Sequence, residues 1–203
     1  MAGSADFNLR IIHFGVDSGV VETTHTCVGH LGPVTSVAID PKGKYVASSG
    51  CDGTVKIWDV ETYACLKTID NVVPKCNDFT LAKHLARLSF SPKTGAFLAV
   101  PHTKEVKLYN RDKWEIVGTL ADPDVKDDVG LCAFSPCGTH IAAGYNDGMI
   151  VIYSFNSRKA VNTFKHPKQK RICGMQWSPI VSTSSLAYSD DHGNAKTSSR
   201  IVN

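Results

Sequence analysis

The sequence predicts an all-β chain of repeated four-stranded antiparallel sheets, a β-propeller that is incomplete over this length. Three observations predict it. A proline closing a short apolar run returns at Asp40-Pro41, Ser91-Pro92, Ser135-Pro136 and Ser178-Pro179, at intervals of 51, 44 and 43 residues. An aromatic residue stands 17 positions beyond each of the first three prolines: Trp58, Tyr109 and Tyr153. Between proline and aromatic, Pro and Gly separate short runs in which apolar and polar residues alternate, the period-two signature of strands between turns. Repetition at this interval, with four strands per copy, is what propeller blades require.

From the N-terminus, residues 7–27, "FNLRIIHFGVDSGVVETTHTC", predict the last two strands of a half blade. Residues 29–70 hold the clearest copy, "SVAIDPKGKYVASSGCDGTVKIWDV" followed by "ACLKTI"; Val55 and Ile57 point one way, Thr54 and Lys56 the other. Asp52-Gly53 forms the turn between its second and third strands, since Gly tolerates positive φ and Asp hydrogen-bonds back to its own backbone. Residues 85–121 and 129–165 repeat the plan, with Val106 and Leu108 opposing Glu105 and Lys107. From 172 to 203 the pattern fails: "SSLAYSDDHGN" predicts a strand and a turn, but "AKTSSRIVN" shows no alternating apolar third strand. Residues 1–203 are thus expected to form one partial propeller, with three full blades and partial blades at both ends. A ring closes with roughly four to eight blades, so open sheet edges are expected.

Composition narrows the function classes. With 203 residues, 42% of them apolar, the chain can bury a core. No apolar run reaches the roughly 18 residues of a membrane span, and "MAGSADFNLR" lacks the features of a secretory signal. A net charge of +3 is too small to announce a nucleic-acid binder. The seven cysteines, at 27, 51, 65, 76, 132, 137 and 173, show no CxxC pair, and the odd count argues against a disulfide framework. Cys132 and Cys137 raise the idea of a zinc site; buried, reduced thiols are the expectation instead, with no metal and no cofactor.

The Trp58-Asp59 ending names the repeat as the WD kind. His30 lies 22 residues before Asp52, Ser48 four before it, and Trp58 six after it. In WD repeats these four types form a buried hydrogen-bond chain that spares each polar atom a cost of about 1–3 kcal/mol. His, Asp and Ser together also suggest a hydrolase triad, but their spacing and order are those of the structural tetrad, and no Gly-x-Ser-x-Gly elbow is present. The other copies have decayed. Thr103, Ala99 and Tyr109 replace Asp, Ser and Trp in one; Asp147 stays in the next, beside Ala143 and Tyr153.

Departures from the repeat carry a closer likeness. The run "KCND", "AK", "RLSFSPKTG", "LAVP", "VKLYNRDKW", then "FSPCGTHIAAGYNDGMIVIY" and "KHPKQKRICGMQWSP", resembles the N-terminal propeller of the WD-repeat and HMG-box DNA-binding family, replisome adaptors of the chromosome transmission fidelity kind. The likeness covers about residues 6–194. It implies a nuclear protein of DNA replication and chromatin, an interaction scaffold rather than an enzyme. Family members tether the replicative helicase to DNA polymerase alpha as trimers, but through a second propeller outside this sequence. The HMG box lies outside it too. The unlike tail after Asn194 suggests a truncated gene model or a splice variant.

One charged segment stands out. Lys165, Lys168, Lys170 and Arg171 fall in "KHPKQKR". They fit a contact for DNA phosphates or a protein partner, a nuclear-import signal, or a plain solvated loop. The acidic "DPDVKDD" at 122–128 reads as a solvated loop. The expected function is therefore a replication scaffold. Direct DNA contact by the 165–171 rim and a translation-initiation propeller are the alternatives.

Overall fold

The computed structural model describes residues 2–3, 5–72, 86–165, 170–180, 185–191 and 195–198. Its strands group into five antiparallel sheets in chain order. Sheet one comprises β1 (Ala2–Gly3), β2 (Leu9–Phe14) and β3 (Val21–Cys27). Sheet two comprises β4 (Val34–Ile39), β5 (Tyr45–Gly50), β6 (Val55–Asp59) and β7 (Cys65–Ile69). Sheet three comprises β8 (Ser89–Phe90), β9 (Phe97–His102), β10 (Glu105–Asn110) and β11 (Ile116–Leu120). Sheet four comprises β12 (Val129–Phe134), β13 (His140–Tyr145), β14 (Met149–Ser154) and β15 (Ala160–Lys165). Sheet five comprises β16 (Ile172–Trp177), β17 (Leu186–Asp190) and β18 (Ala195–Ser198). The architecture is all-β, a set of WD-type propeller blades that, among the described residues, does not close into a ring.

The core lies between sheets, and strand alternation decides which neighbour each residue meets. On β6, Val55 and Ile57 pack toward sheet three while Trp58 packs against Leu9, Ile11 and Cys27 of sheet one. On β10, Val106 and Leu108 meet sheet four, and Tyr109 turns back to sheet two. On β14, Ile150 and Ile152 meet sheet five, and Tyr153 turns back to sheet three. Each aromatic thus packs onto the sheet before its own. A bulge falls just ahead of it every time, at Ile57/Trp58, Leu108/Tyr109 and Ile152/Tyr153.

The turns repeat as faithfully. Asp40, Ser91 and Ser135, the residues before the prolines, are buried and accept the N–H of Tyr45, Phe97 and His140 at 3.2, 3.0 and 3.1 Å. Five residues past each aromatic, Tyr63, Trp114 and Arg158 take φ of 60°, 57° and 59°, and their N–H groups bond back four residues. Positive φ is uncommon in residues other than Gly, and here it recurs at the same place in each copy.

Sequence and structure part at the ends and in sheet three. Residues 7–27 supply two strands, but Ala2–Gly3 adds a third by pairing with Leu9 and Arg10. The tail that lacks apolar alternation still forms β18, with Leu186 opposite Ser198 and Ser189 opposite Ala195. Backbone N–H and C=O groups pair whatever the side chains are, so a strand forms here without apolar alternation. In sheet three, Thr103-Lys104 is a tight two-residue hairpin, where sheet two has a longer Asp-Gly turn. The "KCND" segment lies outside the described residues.

Candidate functional site

The four residues His30, Ser48, Asp52 and Trp58 come together in sheet two. The β3–β4 connection delivers His30, β5 delivers Ser48, the β5–β6 turn delivers Asp52, and β6 delivers Trp58. Trp58 Nε1 donates to Ser48 Oγ at 2.8 Å. Ser48 Oγ lies 2.7 Å from His30 Nε2, and His30 Nδ1 lies 2.9 Å from Asp52 Oδ2. The chain of donors runs one way: the indole N–H to Ser48, the Ser48 hydroxyl to Nε2, and Nδ1–H to the carboxylate. That order requires a neutral imidazole. Burial disfavours the imidazolium and lowers the His30 pKa, outweighing the pull of the Asp52 hydrogen bond in the other direction.

Asp52 is held ionised by its surroundings. Burial by itself would raise its pKa, but N–H donors from Leu31 and Thr54 at 2.8 and 3.0 Å, with His30 and the Thr54 hydroxyl, bring the carboxyl below its ordinary value. Thr54 Oγ1 bonds Asp52 at 2.8 Å and lies 3.2 Å from His30, making it a fifth member that the tetrad spacing did not single out. Gly50 admits the imidazole: a Cβ there would sit 2.6 Å from His30 Nδ1. Ser48 is 0% exposed, with the indole on one side and the imidazole on the other. The arrangement has triad residue types but no approach for a substrate.

Sheet four solves the same burial problem differently. Tyr145 takes the chain position that Gly50 holds in sheet two, two before the Asp. Its hydroxyl meets that of Tyr153 at 2.8 Å, both residues 0% exposed. Burial raises both phenol pKa values, that of Tyr153 to about 12. Asp147 Oδ1 accepts the Met149 N–H at 3.0 Å, as Asp52 accepts that of Thr54. In sheet three, Ala99 and Tyr109 are buried and Thr103 takes φ 46° in its hairpin.

The basic segment is only partly described. Lys165 ends β15 and is exposed, Lys170 and Arg171 are half-buried, and Lys168 lies outside the described residues. A cavity of about 400 Å³ opens where β4, β8, β12 and β16 converge, lined by Ser36, Arg87, Cys132 and Gln176 among others. The thiols are mixed rather than uniformly buried: Cys27 and Cys132 are buried, Cys65 and Cys137 exposed, because the last two lie on an outermost strand and in a turn. Among the described residues no group of three or more His, Cys, Asp or Glu side chains is placed to hold a metal ion. No described helix is long and apolar enough to cross a membrane.

Stacked four-stranded sheets carrying a Trp-Ser-His-Asp chain define a WD-repeat propeller protein. The family model described as WDHD1 first WD40 domain matches residues 1–197, and the chain belongs to that family. It is 38% identical over 195 residues to WD repeat and HMG-box DNA-binding protein 1 of Xenopus laevis, covering 95% of this chain and 16% of the relative. Against the Homo sapiens protein of the same name the identity is 36% over 193 residues, again 95% of this chain and 16% of the relative. The chain therefore spans about a sixth of the length of these relatives. Eukaryotic translation initiation factor 3 subunit I of Botryotinia fuckeliana is similar at 29% identity over 166 residues, 78% of this chain and 48% of that protein.

Proposed function

We propose that this chain is a non-catalytic protein-interaction scaffold of the DNA replication machinery, acting in the nucleus to couple replisome and chromatin factors. The match of residues 1–197 to the first WD40 domain of the family carries the reading. The packing supports it: sheet faces are spent on one another, which leaves the loops at both ends free to vary and to meet partners. Replicative helicase and DNA polymerase alpha belong to the reading through regions outside this chain. The test uses the chain as bait in nuclear extract. Recovery of replication proteins is the expected result, and recovery of translation initiation factors in their place would move the chain to that process.

A second reading is a direct contact with DNA phosphates through Lys165, Lys168, Lys170 and Arg171. The exposed Lys165 and the DNA-binding name of the relatives favour it. Affinity for random duplex DNA is then expected to fall steeply with salt and to vanish with Lys168→Glu and Arg171→Glu together. Undiminished binding by the double variant would end this reading.

A further inference from the structure

Sheets two and three leave a groove between them at the end of the stack that carries the β4–β5 and β10–β11 turns. Its volume is about 570 Å³. Lys42 and Lys44, both exposed, come from the first turn and Arg111 from the second. Tyr45 and Trp114 form the wall, and Leu66 on β7, 49% exposed, offers an apolar floor.

Among the lining residues the cations outnumber the carboxylates, with Asp40 and Asp59 close by. Asp112 is the one carboxylate among the lining residues described, against three cations. Asp40 lies beneath the rim and is 1% exposed; its Oδ1 accepts the Lys44 and Tyr45 N–H groups, and its Oδ2 sits 3.8 Å from Arg111 Nη1. Asp59, which feels the Lys44 charge, accepts the N–H groups of Glu61 and Thr62. Arg111 is also fixed by a 2.7 Å bond from Nη1 to the Thr94 carbonyl. Two exposed lysines and one anchored guanidinium thus line the groove beside Leu66.

We propose that this groove docks an acidic peptide segment of a protein partner, one with an apolar side chain between Asp or Glu residues. Leu66, with the half-buried Trp114 and Tyr45 beside it, takes the apolar side chain; Lys42, Lys44 and Arg111 take the carboxylates. The proposal rests on the scaffold reading and gives it a surface. A nucleic-acid strand suits the groove less well, because base stacking needs an open ring face. Lys44 Nζ already stands 5.3 Å over the Tyr45 ring, and Trp114 is engaged in edge contacts with Tyr45 at 5.8 Å and Phe90 at 6.4 Å.

The test is a fluorescence-polarisation titration of the chain with a labelled dodecapeptide, a central Leu-Trp pair flanked by Asp and Glu. Saturable binding is expected. Lys42→Glu with Lys44→Glu, or Leu66→Asp alone, is expected to weaken it about tenfold or more, as is replacing the Leu-Trp pair by Ser. Melting curves matching the parent's show that these exposed substitutions leave the fold intact. Absence of saturable binding, equal binding by the charge-reversed variant, or displacement of the peptide by oligodeoxythymidine would overturn the proposal. The two readings fail separately. If the charge-reversed chain still recovers the parent's replication proteins, the groove is wrong and the scaffold stands. If the parent binds the peptide but recovers no replication protein, the replication assignment falls and the groove stands.

Discussion

Trp58 joins sheet one to sheet two and also starts the hydrogen-bond chain through Ser48. The two roles separate by mutation. Trp58→Phe keeps much of the packing but orphans the buried Ser48 acceptor, a loss of about 1–3 kcal/mol. Trp58→Ala adds a cavity and is expected to cost about 3–5 kcal/mol. Urea denaturation measures both, and equal losses would mean that the indole contributes nothing beyond its N–H. The same chain sets a pH response. His30 and Asp52 both have lowered pKa values in the fold, from ordinary values of 6.5 and 3.8. The unfolded chain therefore takes up protons first as pH falls, and the fold loses stability. The contribution of His30 is fully present above 6.5 and is lost as pH falls from there toward its folded pKa; that of Asp52 follows below 3.8. Melting temperature is expected to drop from about pH 7.5 to about pH 5, and His30→Gln to flatten that slope. His140, also lowered by burial, contributes in the same direction, and His140→Gln removes that part. An unchanged slope in His30→Gln would show that the imidazole is not held neutral.

Turns separate one strand from the next, and their backbone demands are local. Gly148 takes φ 83° in the β13–β14 turn, a conformation that costs an L residue about 1–2 kcal/mol. Gly148→Ala is expected to lose that amount in denaturant titrations. Thr103, a β-branched residue at φ 46°, already bears such strain, so Thr103→Gly is expected to gain, by less than about 1 kcal/mol after the added chain entropy. Losses in both would place the strain elsewhere. The positive φ of Thr103 was not legible in the sequence, but the Asp52-Gly53 turn was. So were the aromatics at constant offset and the four residue types of the tetrad, because each answers to a spacing along one repeat. Thr54 and the Tyr145–Tyr153 pair were not. Their partners are set by how strands face one another, and a Tyr where another repeat has Gly looks like drift until its hydroxyl is seen meeting a second one. The groove between sheets two and three was hidden for the same reason: Lys44 and Arg111 lie far apart in sequence and approach only when two turns stack.

The whole molecule is a series of sheets joined pairwise, and its stability should follow that order. Among the described residues, buried clusters link sheet one to two, two to three, three to four and four to five. Sheet four is held on both faces, by Tyr153 and Val151 on one side and Ile150 and Ile152 on the other, and every residue of β14 except Ser154 is buried. Among the described residues, sheet one is joined to a neighbour on one face, through Leu9, Ile11 and Cys27, and most of β3 is exposed. Opening sheet one exposes one apolar layer; opening sheet four exposes two. Amide exchange through local opening is therefore expected to be at least about tenfold slower in β13 and β14 than in β2 and β3, with β16 and β17 between them. Mass spectrometry of exchanged peptides reads this directly. A gradient along the stack would mean that each blade draws its stability from its neighbours, so that losing contacts at one end weakens the adjacent blade most. Uniform protection from sheet one to sheet five would instead show a single cooperative unit, in which the buried chain of Trp58 and the hydroxyl pair of sheet four rise and fall together.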